Sequence, residues 1–416
     1  MTRGTPAAWI VSLLVACSSC REEPRRPGEG LDGGVSDAYQ GYDFPISELS
    51  SPPGSCGSPG RPHAEQPPWE DCTLRITPTP VQPVPSPLCG PGRFVLEFQL
   101  GPSEESCVYD GWIYVGRGFT RRVRLSDGRV ETLTRARDAN DLAGSWGCNS
   151  HGLVFAAFHR ASRGAAIVHF TDIEHSGRVR WNQTLKLPTD PGGILGGAYS
   201  MRASDVFSFF LFTNQGPSYF YVASPTGMDP RRLDFGVGHI NSNFTVSGRY
   251  LSYSSDWDIH LYDHVTGRDE NLTPGSGWQQ FSAIDGTRVV YIEHRTRDPA
   301  DYNNANVWLL DLSTRALRAI TSQPEQPPAQ RFSPAIGGDW VVWEDTRNQE
   351  VPQPGIDTAP FRDLYGYNLR TGQELPLVTG VRGAWNALIV GTRLYYTCQL
   401  TRTSPPGTYV MDLPDG

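Results

Sequence analysis

The stretch Ser247-Gly248-Arg249-Tyr250-Leu251-Ser252-Tyr253-Ser254-Ser255-Asp256-Trp257-Asp258-Ile259-His260-Leu261-Tyr262-Asp263 holds two short β-rich runs, each introduced by a polar turn. Ser247-Gly248 opens the first run, and Ser254 to Trp257 is the short turn into the second. Runs of this length, rich in Tyr, Leu and Ile and bounded by Gly, Asp and Ser, read as hairpin strands. A third run closes the unit across Thr266-Gly267, at Arg268-Asp269-Glu270-Asn271-Leu272-Thr273.

The unit recurs, and self-similarity at a fixed period takes precedence over other fold signals. Its first strand returns as Trp112-Ile113-Tyr114-Val115, Leu153-Val154-Phe155, Val206-Phe207-Ser208-Phe209, Val289-Val290-Tyr291-Ile292, Val341-Val342-Trp343 and Leu394-Tyr395-Tyr396, with starts 39 to 53 residues apart. That spacing brackets the period of about 40–50 residues of propeller blades. Second strands follow at Asn306–Leu312, Asp363–Leu369 and Thr408–Leu413.

The repeat, best formed at Ser247–Asp263, resembles the WD40-like repeat of the TolB-type β-propeller family, with weaker copies over most of residues 106–416. The resemblance implies an all-β fold of four-stranded antiparallel blades around a central channel. Seven first strands predict seven blades, with six and a stray hairpin as the alternative. The last unit ends at Gly416 after its third strand, and Phe94–Leu100 is placed to supply the fourth. That closure would leave no open seam between the chain ends. TolB carries an additional N-terminal α/β domain where this chain has a proline-rich segment, so the partners of TolB are not carried over. Some propellers with related repeats are pectin-fragment lyases, but their metal-binding histidines find no residue-by-residue match here.

Composition agrees with a turn-rich repeat fold. The 416 residues hold 44 Gly and 35 Pro, with 38% hydrophobic and 19% charged residues, and that excludes a coiled coil or helical bundle. Net charge is −8, Lys186 is the only lysine, and no basic stripe marks a nucleic-acid partner.

The N-terminus assigns a compartment. Arg3 precedes the apolar run Ala7–Val15, which is too short to span a bilayer and reads as a targeting segment. Leu14-Val15-Ala16-Cys17 resembles the lipobox of bacterial lipoprotein signal peptides. The resemblance implies a signal peptide over residues 1–16 and lipidation at Cys17, with the membrane engaged only through the lipid. Acyl chains bury about 0.8 kcal/mol per methylene, enough for durable anchoring without a spanning helix. Ser18 follows the cysteine, which favours an outer-membrane lipoprotein facing the periplasm or the cell surface. Residues 17–91 form a tether and residues 92–416 the propeller. From Arg21 to Pro91 the chain holds 15 prolines, which reads as an extended spacer or, over Ser55–Leu88, an ordered belt on the propeller.

Seven cysteines remain after Cys17, an odd number, with Cys20 the one expected to stay unpaired. The other six allow fifteen connectivities in an oxidising compartment. The local pairs preferred are Cys56–Cys72 and Cys89–Cys107.

No Gly-x-Ser-x-Gly elbow, phosphate-cradling glycine loop, His-Glu-x-x-His or EF-hand pattern occurs, and no cysteine spacing fits zinc. No catalytic residue, metal or cofactor is therefore assigned. Loop lengths carry more information. The connection between first and second recurring strands is short in the Ser247 unit but long at His294–Asn304, Asp345–Arg362 and Gln399–Pro406. On a propeller these loops share one rim, which would present Asp298, Asp301, Tyr302, Asp345, Arg347 and Asp357. Trp146, Tyr199, Phe281, Phe332 and Trp385, near the starts of the innermost strands, would line the channel mouth on that side. The expected function is a non-enzymatic binding or scaffolding module for an envelope protein. The alternative is a carbohydrate-binding or carbohydrate-active propeller, with a glycan at the same mouth.

Overall fold

The computed structural model describes residues 74–78, 89–96, 106–109, 111–115, 121–135, 144–149, 152–161, 165–173, 179–188, 194–197, 207–213, 219–223, 231–233, 240–275, 277–296, 305–321, 329–348, 362–380, 383–399 and 406–415. In chain order, β1 (Leu74–Pro78) and β2 (Arg93–Leu96) come first. Successive groups follow: β3 (Ser106–Tyr109), β4 (Trp112–Val115), β5 (Arg121–Arg124) and β6 (Val130–Arg135); then β7 (Gly144–Asn149), β8 (Gly152–Ala161), β9 (Ala165–Ile173) and β10 (Val179–Pro188). Next are β11 (Ile194–Gly197), β12 (Phe207–Thr213), β13 (Tyr219–Ala223) and β14 (Arg231–Leu233), then β15 (Ile240–Ser247), β16 (Tyr250–Ser255), β17 (Asp258–Asp263) and β18 (Arg268–Asn271). The chain continues through β19 (Trp278–Asp285), β20 (Arg288–His294), β21 (Ala305–Asp311) and β22 (Leu317–Ala319), and through β23 (Arg331–Gly337), β24 (Trp340–Asp345), β25 (Asp363–Asn368) and β26 (Gln373–Val378). It ends with β27 (Ala384–Val390), β28 (Arg393–Cys398) and β29 (Gly407–Asp412).

These strands form antiparallel up-and-down sheets in sequence order, as four-stranded propeller blades do. Two exceptions concern the N-terminal segment. β2 joins the last sheet beside β29, giving the order β2-β29-β28-β27, and β1 adds a fifth strand outside β6 in the first sheet. The expected closure by Phe94 and its neighbours is therefore present, with Arg93 opposite Val410 and Phe94 opposite Tyr409. Leu74–Pro78 runs along the outside of β6, with Pro78 as the last residue of this edge strand, a position where sheets tolerate proline.

Where side chains are described, each sheet buries one face against the next. Ile259 and Leu261 of β17 meet Ile284, Val289 and Tyr291 of the following sheet. Val290, Ile292 and Val307 meet Ile336, Val341 and Trp343. Val342, Leu364 and Val378 meet Leu394 and Tyr396 of the last sheet. Val95, Leu388, Tyr395 and Val410 then pack on Ile113, Val123 and Val130 of the first. A β-propeller results. Its middle strands are covered on both sides, so β24 and β25 are buried at every position, whereas the outermost β22 is exposed throughout. This explains why first strands such as Val341-Val342-Trp343 read as continuous apolar runs.

Turn chemistry fixes the register. Gly248, Gly286, Gly338 and Gly391 each open the two-residue turn into the second strand, with φ between 54° and 60°. Positive φ at the first central residue is the type II′ hairpin pattern, whose twist matches the flanking strands. At the end of the third strand an Asx turn recurs: Asp263, Asp311 and Asn368 each accept from backbone N–H groups two and three residues ahead. Asp263 also pairs with Arg249, which holds its carboxyl well below the usual carboxylate range.

Cysteine pairing differs from expectation. Cys89 is bonded to Cys398, 309 residues away, with a Cα–Cα distance of 5.8 Å, and not to Cys107. Local spacing pointed to Cys107, but Cys107 lies on β3 in the first sheet while the turn before β2 docks on the last. Cys17, Cys20, Cys56 and Cys72 lie outside the described residues. Among the described residues, no helix is long and apolar enough to cross a membrane.

Candidate functional site: the long-loop rim

The loops joining β20 to β21, β24 to β25 and β28 to β29 leave from one rim, where β19, β23 and β27 also begin. Asp298, Asp301, Tyr302, Asp357 and Tyr199 lie outside the described residues, and Trp146 lies on β7. Phe281, Phe332, Trp385, Asp345 and Arg347 can be placed.

A recurrent bulge shapes the innermost strands. Register slips by one residue between Gln280 and Ala283, between Phe332 and Ala335, and between Trp385 and Leu388. The residue after the first of each pair, Phe281, Ser333 and Asn386, has φ of 54°, 41° and 54°. Left-handed backbone at non-glycine residues costs energy and persists where the surroundings enforce it. The bulge bends each strand near the rim and re-aims the neighbouring side chains. Phe332 and Trp385 therefore occupy equivalent positions, opposite Glu344 and Thr397, while Phe281 occupies the bulge itself. The rings of Phe281 and Phe332 meet edge to face at 6.3 Å.

Under the aromatics lies a network of charges. Arg362 stacks over Phe332 at 4.1 Å and pairs with Glu344. The other oxygen of Glu344 accepts from the Asn386 backbone N–H at 3.0 Å, linking two sheets. Asp345 accepts from Arg331 Nε at 3.2 Å, Trp343 Nε1 at 2.9 Å and Arg347 Nη2 at 2.6 Å. Arg331 also donates to the Ala305 carbonyl of the preceding sheet. Arg347 lies 4.0 Å over Tyr365 and reaches Glu374 at 2.6 Å.

Asp345 was expected on an open rim, and the structure corrects this: Asp345 and Arg331 are both fully buried. Burial opposes the charge on Asp345. The Arg347 hydrogen bond, the Arg331 and Arg347 charges and the Trp343 N–H outweigh it and hold the carboxyl below its ordinary range. Cross-strand from it, Asp363 goes the other way. Burial is the larger cause and Asp345 adds to it, against hydrogen bonds from Asn348 and Gly380.

Residues that the sequence reading passed over complete the rim. His294, almost fully buried, meets Gln280 at 2.7 Å and packs 4.9 Å from the Trp278 ring. Trp257, at the tip of the β16–β17 hairpin, is 37% exposed and stands edge-on to Trp278 at 4.7 Å. Asp256 and Trp257 both have positive φ, the type I′ turn pattern, in which glycine is usual at the second position. Alignment of the hairpins by register would have found these positions. Ser255, His294, Asp345 and Cys398 each end the second strand of their sheet, opposite Ile240, Trp278, Arg331 and Ala384. Among the described residues, no group of three or more His, Cys, Asp or Glu could hold a metal ion.

No protein-family model matches the chain, and no curated protein matches it. Solved structures do. An oligogalacturonate lyase in complex with manganese aligns at TM-score 0.49 and 11% identity, over 83% of this chain and 99% of its own. A structure described as TolB from Agrobacterium tumefaciens aligns at TM-score 0.36 and 14% identity, over 65% and 90%. The acylaminoacyl peptidase of Pyrococcus horikoshii aligns at TM-score 0.45 and 12% identity, over 74% and 51%. The fold assignment rests on the sheets and seams described above.

Proposed function

We propose that this chain is a non-enzymatic binding propeller of the cell envelope, lipidated at Cys17, that holds a protein partner on its long-loop rim. One observation carries the reading: the rim acids Glu344 and Asp345 are buried and neutralised by Arg362, Arg331 and Arg347. Carboxylates held this way brace the scaffold from which the loops project, and loops on a rigid scaffold are where binding sites concentrate. The mature chain, used as bait in envelope extracts, is expected to retain a defined protein. Variants with the 297–304 and 349–361 loops replaced by short glycine-serine links are expected to lose it. Retention of the same protein by both loop variants would place the site elsewhere, and no retained protein with the intact chain would count against the reading. Cys17→Ala is expected to move the protein from the detergent phase to the aqueous phase of an envelope extract.

A second reading, carbohydrate binding, is favoured by Trp257, an exposed indole braced by a buried one. A flat aromatic face with fixed orientation suits the C–H face of a sugar ring. A polysaccharide array that gives signal with the wild type and at least about fivefold less with Trp257→Ala supports it, since a lost stacking partner costs about 1 kcal/mol. An array with neither binding nor turnover excludes it.

A further inference from the structure

The ring is closed by a very short strand. β2 has four residues at the edge of its sheet and meets β29 with a register shift between Phe94 and Leu96. By contrast, β28 and β29 pair without interruption from Arg393 opposite Asp412 to Cys398 opposite Gly407. Short edge strands are where local opening is cheapest. Yet β2 covers a seam that matters, because Val95 sits between the last sheet and Ile113, Val123 and Val130 of the first.

What precedes β2 compensates. The Cys89–Gly92 turn docks on Tyr396, whose hydroxyl donates to the Cys89 carbonyl at 2.7 Å and accepts from the Gly92 N–H at 3.1 Å. A Cβ on Gly92 would stand 2.2 Å from that hydroxyl, so only glycine fits. Cys89 is wholly buried in the same cluster as Val378, Ala384 and Leu413, and its disulfide runs to the end of β28, an interior strand.

We propose that the Cys89–Cys398 disulfide is a redox-sensitive lock on ring closure. In the oxidised state the chain is fixed just upstream of Arg93, so a detached β2 stays close to its own edge and re-forms quickly. The crosslink acts as a very short linker with a correspondingly high effective concentration. In the reduced state that restraint is gone, and β2 leaves as a local event while the other sheets remain folded. The outward N–H and C=O groups of β29 are then an open edge.

The chemistry is thiol–disulfide exchange with an external dithiol. When the Cys89–Gly92 turn lifts off Tyr396 and uncovers the bond, one thiolate of the reductant attacks a protein sulfur and displaces the other as thiolate. The second reductant thiol then closes on the mixed disulfide, giving cyclic oxidised reductant and two protein thiols, with two electrons and two protons passed to Cys89 and Cys398.

Hydrogen exchange read by mass spectrometry tests the lock on three samples: the oxidised chain, the same chain folded and then treated with dithiothreitol, and Cys89→Ser/Cys398→Ser. Alkylation mapping verifies which thiols the reductant has freed. Amides of residues 93–96 and 407–412 are expected to exchange at least about tenfold faster in the second and third samples, with β20 and β24 little changed. Unchanged protection at β2 and β29 overturns the proposal. Uniform loss across all sheets also overturns it, because the bond would then stabilise the fold as a whole. Should the double variant not fold, the dithiothreitol sample decides by the same readings.

Discussion

Arg331 and Asp345 form an ion pair with no solvent exposure, and the cost of such a pair depends on every partner being present. Removing one charge strands the other, so Asp345→Asn is expected to lower unfolding free energy by about 3 kcal/mol or more, read by denaturant titration. The pH dependence has a definite sign. The folded Asp345 carboxyl titrates below its unfolded value of about 3.9, so its contribution is complete above that pH and lost as pH falls through the folded value. Asp363 is raised, so its ionised form burdens the fold at neutral pH and the burden lifts as pH falls through its folded value. Acidification therefore relieves Asp363 first and unlocks Asp345 later. Stability of the wild type is expected to drop steeply below about pH 4, and Asp345→Asn to flatten that limb. The Arg and Asp residue types were legible in the sequence. Their mutual burial was not, because it depends on Ala305 and Trp343 reaching the same point from other strands.

At the scale of the element, the innermost strand is a bulged strand whose extra residue adopts left-handed backbone. Ser333 holds that conformation at φ 41° and is half-buried. Ser333→Gly is expected to leave stability within about 0.5 kcal/mol or raise it slightly, whereas Ser333→Val is expected to cost about 1–2 kcal/mol, compared by denaturation midpoints. Strand recurrence was legible because Gly248, Gly286, Gly338 and Gly391 punctuate it at hairpin turns, and the closing strand was legible because the last unit stops short. The bulges were not, since Phe281, Ser333 and Asn386 share no residue type. For the same reason Phe281, Phe332 and Trp385 looked equivalent in the sequence when only the last two are. Likewise the four residues that end the second strands, Ser255, His294, Asp345 and Cys398, share a position but fasten it by different chemistry: an ion pair in one sheet, a disulfide in another.

For the whole molecule, the seam between first and last sheets is where β2, early in the described residues, pairs with β29, the last strand. A chain beginning at residue 97 lacks β2 and the disulfide, and is expected to expose the β29 edge and to self-associate, giving a concentration-dependent shift in sedimentation that the full chain does not show. Long-range pairing of Cys89 with Cys398 had no local signal, because a ring joins residues that are most distant in sequence. The disulfide also decides how the molecule carries load. Any pull on the chain upstream of β1 must first strip Leu74–Pro78 from the outside of the first sheet, and it then arrives at Cys89. There the sulfur bridge hands it to β28, which is flanked by β27 and β29, and the weak edge strand β2 is bypassed. Tension is therefore delivered to a covalent bond seated on an interior strand, and the ring can be tugged by its N-terminal segment without being unzipped.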